Sequence, residues 1–297
     1  GGAVFSNAGQ SSSVTITDGT LYTNTAKGDG GTVYSNANNA NSTVTITNTP
    51  IEDNKSTEGR GGAVFSNAGQ SSSVTITDGT LYINTAKGDG GAVYSNANNA
   101  NSTVTITNTP IEENKSENGA GGAVFSNAGQ SSSVTITDGI LYKNIAAGGS
   151  GGAVYSNANN ANSTVSITNT TIDNNDAQGS GGAVYSNARR DSNVTITDGT
   201  LHDNIAQQGS GGAVFSNARA TATTTIKNVT IKNNIAGVSG GAIYNNVDVN
   251  YGYYNQIVSN NIRATVTIDN VLIQDNTANN GKGGAIYNNA KIIFNNN

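Results

Sequence analysis

The stretch Gly30 to Arg60, GGTVYSNANNANSTVTITNTPIEDNKSTEGR, decides the fold. Three short β-compatible runs stand in it, each bounded by Gly, Asn, Ser or Pro. The first is Thr32-Val33-Tyr34-Ser35. The second, Thr43-Val44-Thr45-Ile46-Thr47, alternates strictly, with Val44 and Ile46 on one face. The third is Ile51-Glu52-Asp53-Asn54. No window places apolar residues at i, i+3, i+4 and i+7, which rejects helix.

The stretch is one copy of many. Gly-Gly-(Ala/Thr)-(Val/Ile)-(Phe/Tyr) begins at Gly1, Gly30, Gly61, Gly90, Gly121, Gly151, Gly181, Gly211 and Gly240, then after a longer gap at Gly283. A period near 30 residues, with three strands and three corners per copy, predicts one turn of a parallel β-helix. The expected fold is all-β, a solenoid of nine to ten coils spanning residues 1–297 as a single domain, about 45 Å long at the rung spacing of a sheet. A lone coil buries too little to offset its ordering entropy, so stability is collective.

Stacked coils turn sequence into columns. Val14/Ile16, Val44/Ile46, Val74/Ile76, Val104/Ile106 and Val134/Ile136 form an inward aliphatic stack, and Leu21, Ile51, Leu81, Ile111 and Leu141 another. Three residues after each member of the second comes an asparagine: Asn24, Asn54, Asn84, Asn114, Asn144, Asn175, Asn204, Asn234 and Asn276. Asparagine at one corner of every coil tolerates a left-handed conformation and links its amide to the next rung. The Gly-Gly pair marks another corner, where positive φ or close backbone approach excludes a Cβ. The true period is two coils. Residues 1–60 and 61–120 differ at six positions, and one column alternates Asp18, Asn48, Asp78, Asn108, Asp138, Asn169. That alternation keeps like charges from facing each other on adjacent strands.

Composition narrows the function. Charged residues are 11% and the net charge is −5. The only basic cluster in the sequence is Arg189-Arg190, so nucleic acid is not an expected partner. No apolar run is long enough to span a membrane as a helix. Cysteine is absent, which removes disulfides and thiolate metal sites. The chain opens inside a motif without methionine, as expected for a piece of a longer surface protein.

Gly121-Gly122-Ala123-Val124 and Gly240-Gly241-Ala242-Ile243, together with Leu21-Tyr22-Thr23-Asn24 and Ile51-Glu52-Asp53-Asn54, resemble the repeat of the chlamydial polymorphic outer-membrane proteins. The pattern is similar to that of adhesin-like surface proteins of other bacteria and of methanogenic archaea. The resemblance implies a right-handed parallel β-helix at the extracellular cell surface, acting in adhesion or as a spacer. It uses Leu or Ile where the chlamydial pattern has Phe.

Little in the chain reads as chemistry. Catalytic β-helices that cut polysaccharides cluster carboxylates at a break in the repeat. Here Glu52-Asp53 and Glu112-Glu113 recur with the repeat, and strand neighbours point to opposite faces. The one histidine, His202, falls in an outward column with Tyr22, Glu52, Tyr82 and Glu112, and reads as a surface residue. Gly28-Asp29-Gly30-Gly31 lacks the nine-residue period of calcium-binding repeats and reads as a corner. No enzyme, cofactor or metal site is expected.

Two surfaces remain. Thr15, Thr17, Thr45, Thr47, Thr75, Thr77, Thr105, Thr107, Thr135 and Thr137 form outward hydroxyl columns, similar to the ice-binding face of β-solenoid antifreeze proteins, until Lys227 and Asp269 interrupt them. The repeat itself is broken by an inserted loop at 247–263, where Tyr251, Tyr253 and Tyr254 form a candidate contact loop. The expected function is a structural or adhesive stalk, with ice binding as the alternative. Expected partners are a host or neighbouring cell-surface protein or glycan, or further copies of the chain. Gly1 begins at a coil boundary and Lys291-Ile292-Ile293-Phe294 reads as a strand seeking a partner, which suggests end-to-end assembly.

Overall fold

The computed structural model describes residues 1–248 and 263–295, and every regular element in them is a β-strand. In the coil that starts at Gly30 the strands are Val33–Ala37, Ser42–Thr47, Pro50–Glu52 and Lys55–Ser56. Each pairs in parallel with the same segment of the neighbouring coils, without a slip: Val33 lies opposite Val4 and Val64, and Val74 opposite Val44 and Val104. The result is a β-solenoid of about nine turns with roughly 30 residues per turn.

The expected three runs correspond to three sheets, but not one to one. The described residues form sheets of ten, sixteen and nine strands. The second and third runs share the sixteen-stranded sheet, and in the coils at Ser163–Asp173, Asp191–His202 and Thr221–Lys232 they fuse into one strand. The nine-stranded sheet consists of two-residue strands such as Lys55–Ser56, too short for a hydrophobic period to reveal. Coils in which the second and third runs stay separate carry four strands, and the three coils with the fused strand carry three.

Alternation decides what is buried. Val44, Ile46, Ile51 and Val33 are fully buried, as are their counterparts in the inner coils, and they merge into one continuous core along the axis. Ile292, Ile293 and Phe294 belong to the strand Lys291–Asn295, which pairs in parallel with Thr265–Asp269. The expected contact loop lies outside the described residues with Tyr251, Tyr253 and Tyr254, between the strands Ile243–Val247 and Arg263–Asp269.

The Gly-Gly corner divides two requirements between its two residues. The first glycine has positive φ, 64° at Gly121, in the region that side chains rarely adopt. The second keeps an ordinary φ, but a Cβ on Gly122 would run into the carbonyl oxygen of Gly152 on the next coil. Coil spacing is thus set by backbone-to-backbone contact at this point. Gly28, by contrast, has nothing within 4 Å of its would-be Cβ. Gly122→Ala should lower stability by at least about 2 kcal/mol, whereas Gly28→Ala should be near neutral. Urea unfolding followed by circular dichroism distinguishes the two; equal effects would contradict the assigned contact.

Candidate functional surfaces

The asparagine column is buried from Asn54 to Asn234 and fully hydrogen-bonded there. Asn54 Oδ1 accepts from both the backbone N and Nδ2 of Asn24, at 3.0 Å each. Asn54 Nδ2 donates to Leu21 O of the preceding coil at 2.8 Å and to Asn84 Oδ1 of the following one at 2.9 Å. The same set recurs at Asn84, Asn114, Asn144, Asn175, Asn204 and Asn234, where the chain of amides passes on to Asn276. Both lone pairs and both amide hydrogens are used, which is what a buried amide requires. The left-handed conformation expected of these asparagines belongs instead to the residue before each: Thr23, Asp53, Ile83, Glu113 and Lys143 have φ between 51° and 55°. The strain of a β-branched Ile83 in that region is held by the amide that follows it.

Three further ladders went unread in the sequence. On the outer side of the ten-stranded sheet ten rings, from Phe5 and Tyr34 to Tyr244 and Tyr287, stack face to face with centroids 4.8–5.1 Å apart. Burial in this stack pushes the Tyr155 and Tyr185 phenols up from the usual range. Beside the rings a second amide ladder starts at Asn7 and runs through Asn36, Asn67 and Asn96, each of these three donating its Nδ2 to the Oδ1 of the preceding coil at 2.8 Å. Inside, Ser6, Ser12, Ser35, Ser42 and Ser66 open a zigzag of buried hydroxyls, 2.7–2.9 Å apart, that continues to Ser192 and Ser216. The signal for the last was the same alternation used for Thr43–Thr47: Ser6 lies two residues after Val4, and Ser12 two before Val14, so both point inward.

The two-coil period has a hydrogen-bonding basis. Asn48 Nδ2 donates to Asp18 Oδ1 at 2.6 Å, Asn108 to Asp78 at 2.8 Å and Asn169 to Asp138 at 2.7 Å. Both members have φ near 50°. A second alternation supports it, because Gly19 and Gly79 donate their backbone N–H to Thr49 and Thr109 Oγ1 of the following coil.

The threonine columns are in register: Thr15 opposite Thr45, Thr75 opposite Thr105, Thr105 opposite Thr135, with Thr17, Thr47, Thr77, Thr107 and Thr137 beside them. Lys227 and Asp269 end the outer column with an ion pair of 3.7 Å. The carboxylates of the Gly-Asp-Gly-Gly segments act at corners: Asp29 Oδ1 accepts from Arg60 N at 2.8 Å and Asp89 Oδ1 from Ala120 N at 2.9 Å. Ser150 and Ser180 take over that task in later coils, accepting from Ser180 N and Ser210 N.

His202 is half-buried, and its Nδ1 sits 3.1 Å from Asp173 Oδ1 and 3.0 Å from Asp203 Oδ2. The ring therefore bridges two carboxylates, one on the preceding coil, rather than standing free in solvent. The three groups lie close enough to hold a cation, yet the imidazole nitrogen that would coordinate it already bonds the carboxylates. Glu52 and Glu112 are separated along their column by Tyr82 and do not form a carboxylate pair. Asp176 stands between Ile145 and Ile205, where burial pushes its carboxyl up despite the Gln207 amide donating at 2.7 Å.

Corners and ladders, rather than a cleft, are what the coils share. Three segments of the chain, 169–187, 228–246 and 270–289, match the Chlamydia polymorphic membrane protein repeat. Those three segments carry the likeness to that repeat. Each Chlamydia-type match starts on a left-handed asparagine (Asn169, Asn228, Asn270) and ends on or just after the outer amide ladder, at Asn187, Asn246 and Asn289. It encloses the inner asparagine and the Gly-Gly corner and leaves out the threonine strand. No curated protein and no solved structure gives a significant match to the chain.

The inner ladder supplies the sharpest test of this arrangement. Asn114→Ala would leave the backbone N and Nδ2 of Asn84 and the carbonyl of Leu81 without their partner in a fully buried site. The expected loss is roughly 2–4 kcal/mol, from several unmet buried groups together. Measured by urea unfolding, a loss below about 0.5 kcal/mol would show that the ladder is dispensable.

Proposed function

We propose that the chain is a rigid repeat segment of a cell-surface protein, a stalk that presents an adhesive element at a distance from its anchor. The observation that carries this reading is the continuity of the ladders. Amides, hydroxyls and rings pass from coil to coil in one register, so bending the rod would break several columns together. The Chlamydia membrane-protein repeat within the chain supports a surface location. A stalk of this kind meets a host or neighbouring cell-surface protein or glycan, or further copies of itself.

Immunolabelling of intact cells should detect the segment at the surface, and protease added outside should remove the label. Detection only after cell breakage would refute the surface reading. The in-register threonine columns favour a second reading, ice binding. In that case the purified segment shapes ice crystals and produces thermal hysteresis; a freezing assay without either effect dismisses it.

A further inference from the structure

Asn-X-Ser/Thr, the acceptor sequence for N-linked sugars, occurs eight times in the chain. In a sequence so rich in Asn, Ser and Thr the motif alone means little, and its place in the coil sorts the copies. Asn54 and Asn114 are buried in the inner ladder, with Nδ2 committed to the next amide. Asn169 and Asn228 are exposed, but their Nδ2 atoms donate to Asp138 and Asp198 at 2.7 and 2.8 Å. Asn193 lies inside the strand Asp191–His202, flanked one rung away on either side by Thr164 and Thr223. Asn162 is half-buried, and the register sets it beside Asp191 of the next coil.

Asn41 and Asn101 remain. Both are exposed, and they hold the same position two coils apart, at the entry to the strands Ser42–Thr47 and Ser102–Thr107. The Oδ1 of each accepts the backbone N–H of Ser71 or Ser131 on the following coil, at 3.2 and 3.3 Å. That bond fixes the side chain at the surface, while among the described residues neither Nδ2 donates to any group. Ser42 turns inward into the hydroxyl zigzag, whereas Thr43 faces outward, on the side that Asn41 faces. The amide and the hydroxyl that the motif requires therefore stand on one face. Serine takes this position in the coils between, at Ser11, Ser71 and Ser131. Successive acceptor amides are thus about 9.6 Å apart, where one on every coil would crowd the sugars into about 4.8 Å.

We propose that Asn41 and Asn101 are N-glycosylation sites, which set a row of sugars along the edge of the threonine face. The donor is a lipid-linked oligosaccharide pyrophosphate. Nδ2 bonds to the anomeric carbon as the bond from that carbon to the phosphate oxygen breaks. The lipid pyrophosphate leaves, and Nδ2 gives up one proton to a base of the transferase. Nothing is oxidised or reduced. A folded coil has no room for a sugar at Asn54 or Asn114, where the new bond would also remove a ladder donor. The proposal rests on the surface-protein reading, which brings the chain to the side of the membrane where such transfer takes place.

The test is tryptic peptide mapping by mass spectrometry of the chain isolated from the cells that make it. Peptides 28–55 and 88–115 should each carry an oligosaccharide, located by fragmentation at Asn41 and Asn101 and not at Asn54 and Asn114. Asn41→Gln should abolish the first attachment and leave the second. Thr43→Val, which keeps the asparagine but removes the hydroxyl, should do the same. Both side chains face outward, and unchanged thermal midpoints would verify that the variants fold. Unmodified Asn41 and Asn101 in a chain that immunolabelling finds at the surface would overturn the sites and leave the surface reading standing. Unmodified peptides together with an unlabelled cell surface would overturn both. Oligosaccharide on Asn169 or Asn228 instead, or attachment that survives Thr43→Val, would also sink the proposal.

Discussion

Parallel in-register stacking is the constraint on which everything else depends. When each residue faces its own counterpart one rung above and below, a column is occupied by side chains that must satisfy one another. Asparagine does so because its amide both accepts and donates, and serine because its hydroxyl does. Aromatic rings do so by stacking and aliphatic side chains by contact. Aspartate and lysine cannot, since a like charge would face them at every rung. The composition follows from this rule. A chain that repeats one coil becomes rich in Asn, Ser, Thr and Gly and poor in charge, and its charged residues appear where a column alternates, as at Asp18 and Asn48.

The ladders also carry direction. In the inner asparagine ladder each Nδ2 donates to the Oδ1 of the following coil, whereas in the outer ladder each donates to the preceding one. The two rows of amide dipoles therefore oppose each other along the rod and do not add into one axial field. The serine zigzag between them has no fixed sense, because either hydroxyl in several of its links can donate. A buried polar interior of this kind tolerates no register slip. Moving one coil by a single residue would set Asn54 opposite Ile83 or Thr85 in place of Asn84 and take from its donors the amide oxygen that accepts them.

How much of this is legible in the sequence depends on whether a column shows itself in one coil or only between coils. Val44 and Ile46 announce their face by alternation within five residues, and Asn54 by its constant distance from Ile51. The ring stack was present in the motif itself, as the fifth residue of every Gly-Gly copy, but a lone Phe or Tyr on an outer strand face says nothing until its neighbour one coil away is placed 4.8 Å from it. The left-handed residue was assigned one position late because asparagine is the residue that best tolerates that conformation. Here the ladder needs the asparagine side chain inward, so the strained φ falls on Thr23 or Ile83 before it. The nine-stranded sheet escaped notice because two residues carry no period.

The same logic locates function in a repeat protein. Positions that obey the repeat are explained by their column, since each is already committed to its neighbours above and below. Capacity for an outside partner arises where a column changes residue type and its hydrogen-bonding inventory no longer closes. His202 is one such change, but the carboxylates of Asp173 and Asp203 meet its ring nitrogen. Another change lies where a column of alternating Gly and Asn (Gly9, Asn38, Gly69, Asn98, Gly129, Asn159) gives way to Arg189 and Arg219, and there Arg189 Nη1 donates to Asn160 Oδ1 of the preceding coil at 3.5 Å. Sequence separation hides such a pair, as 30 residues divide them, yet a coil of that length makes them nearest neighbours. For a solenoid, charge clustering is therefore to be sought at the repeat distance and not along the chain.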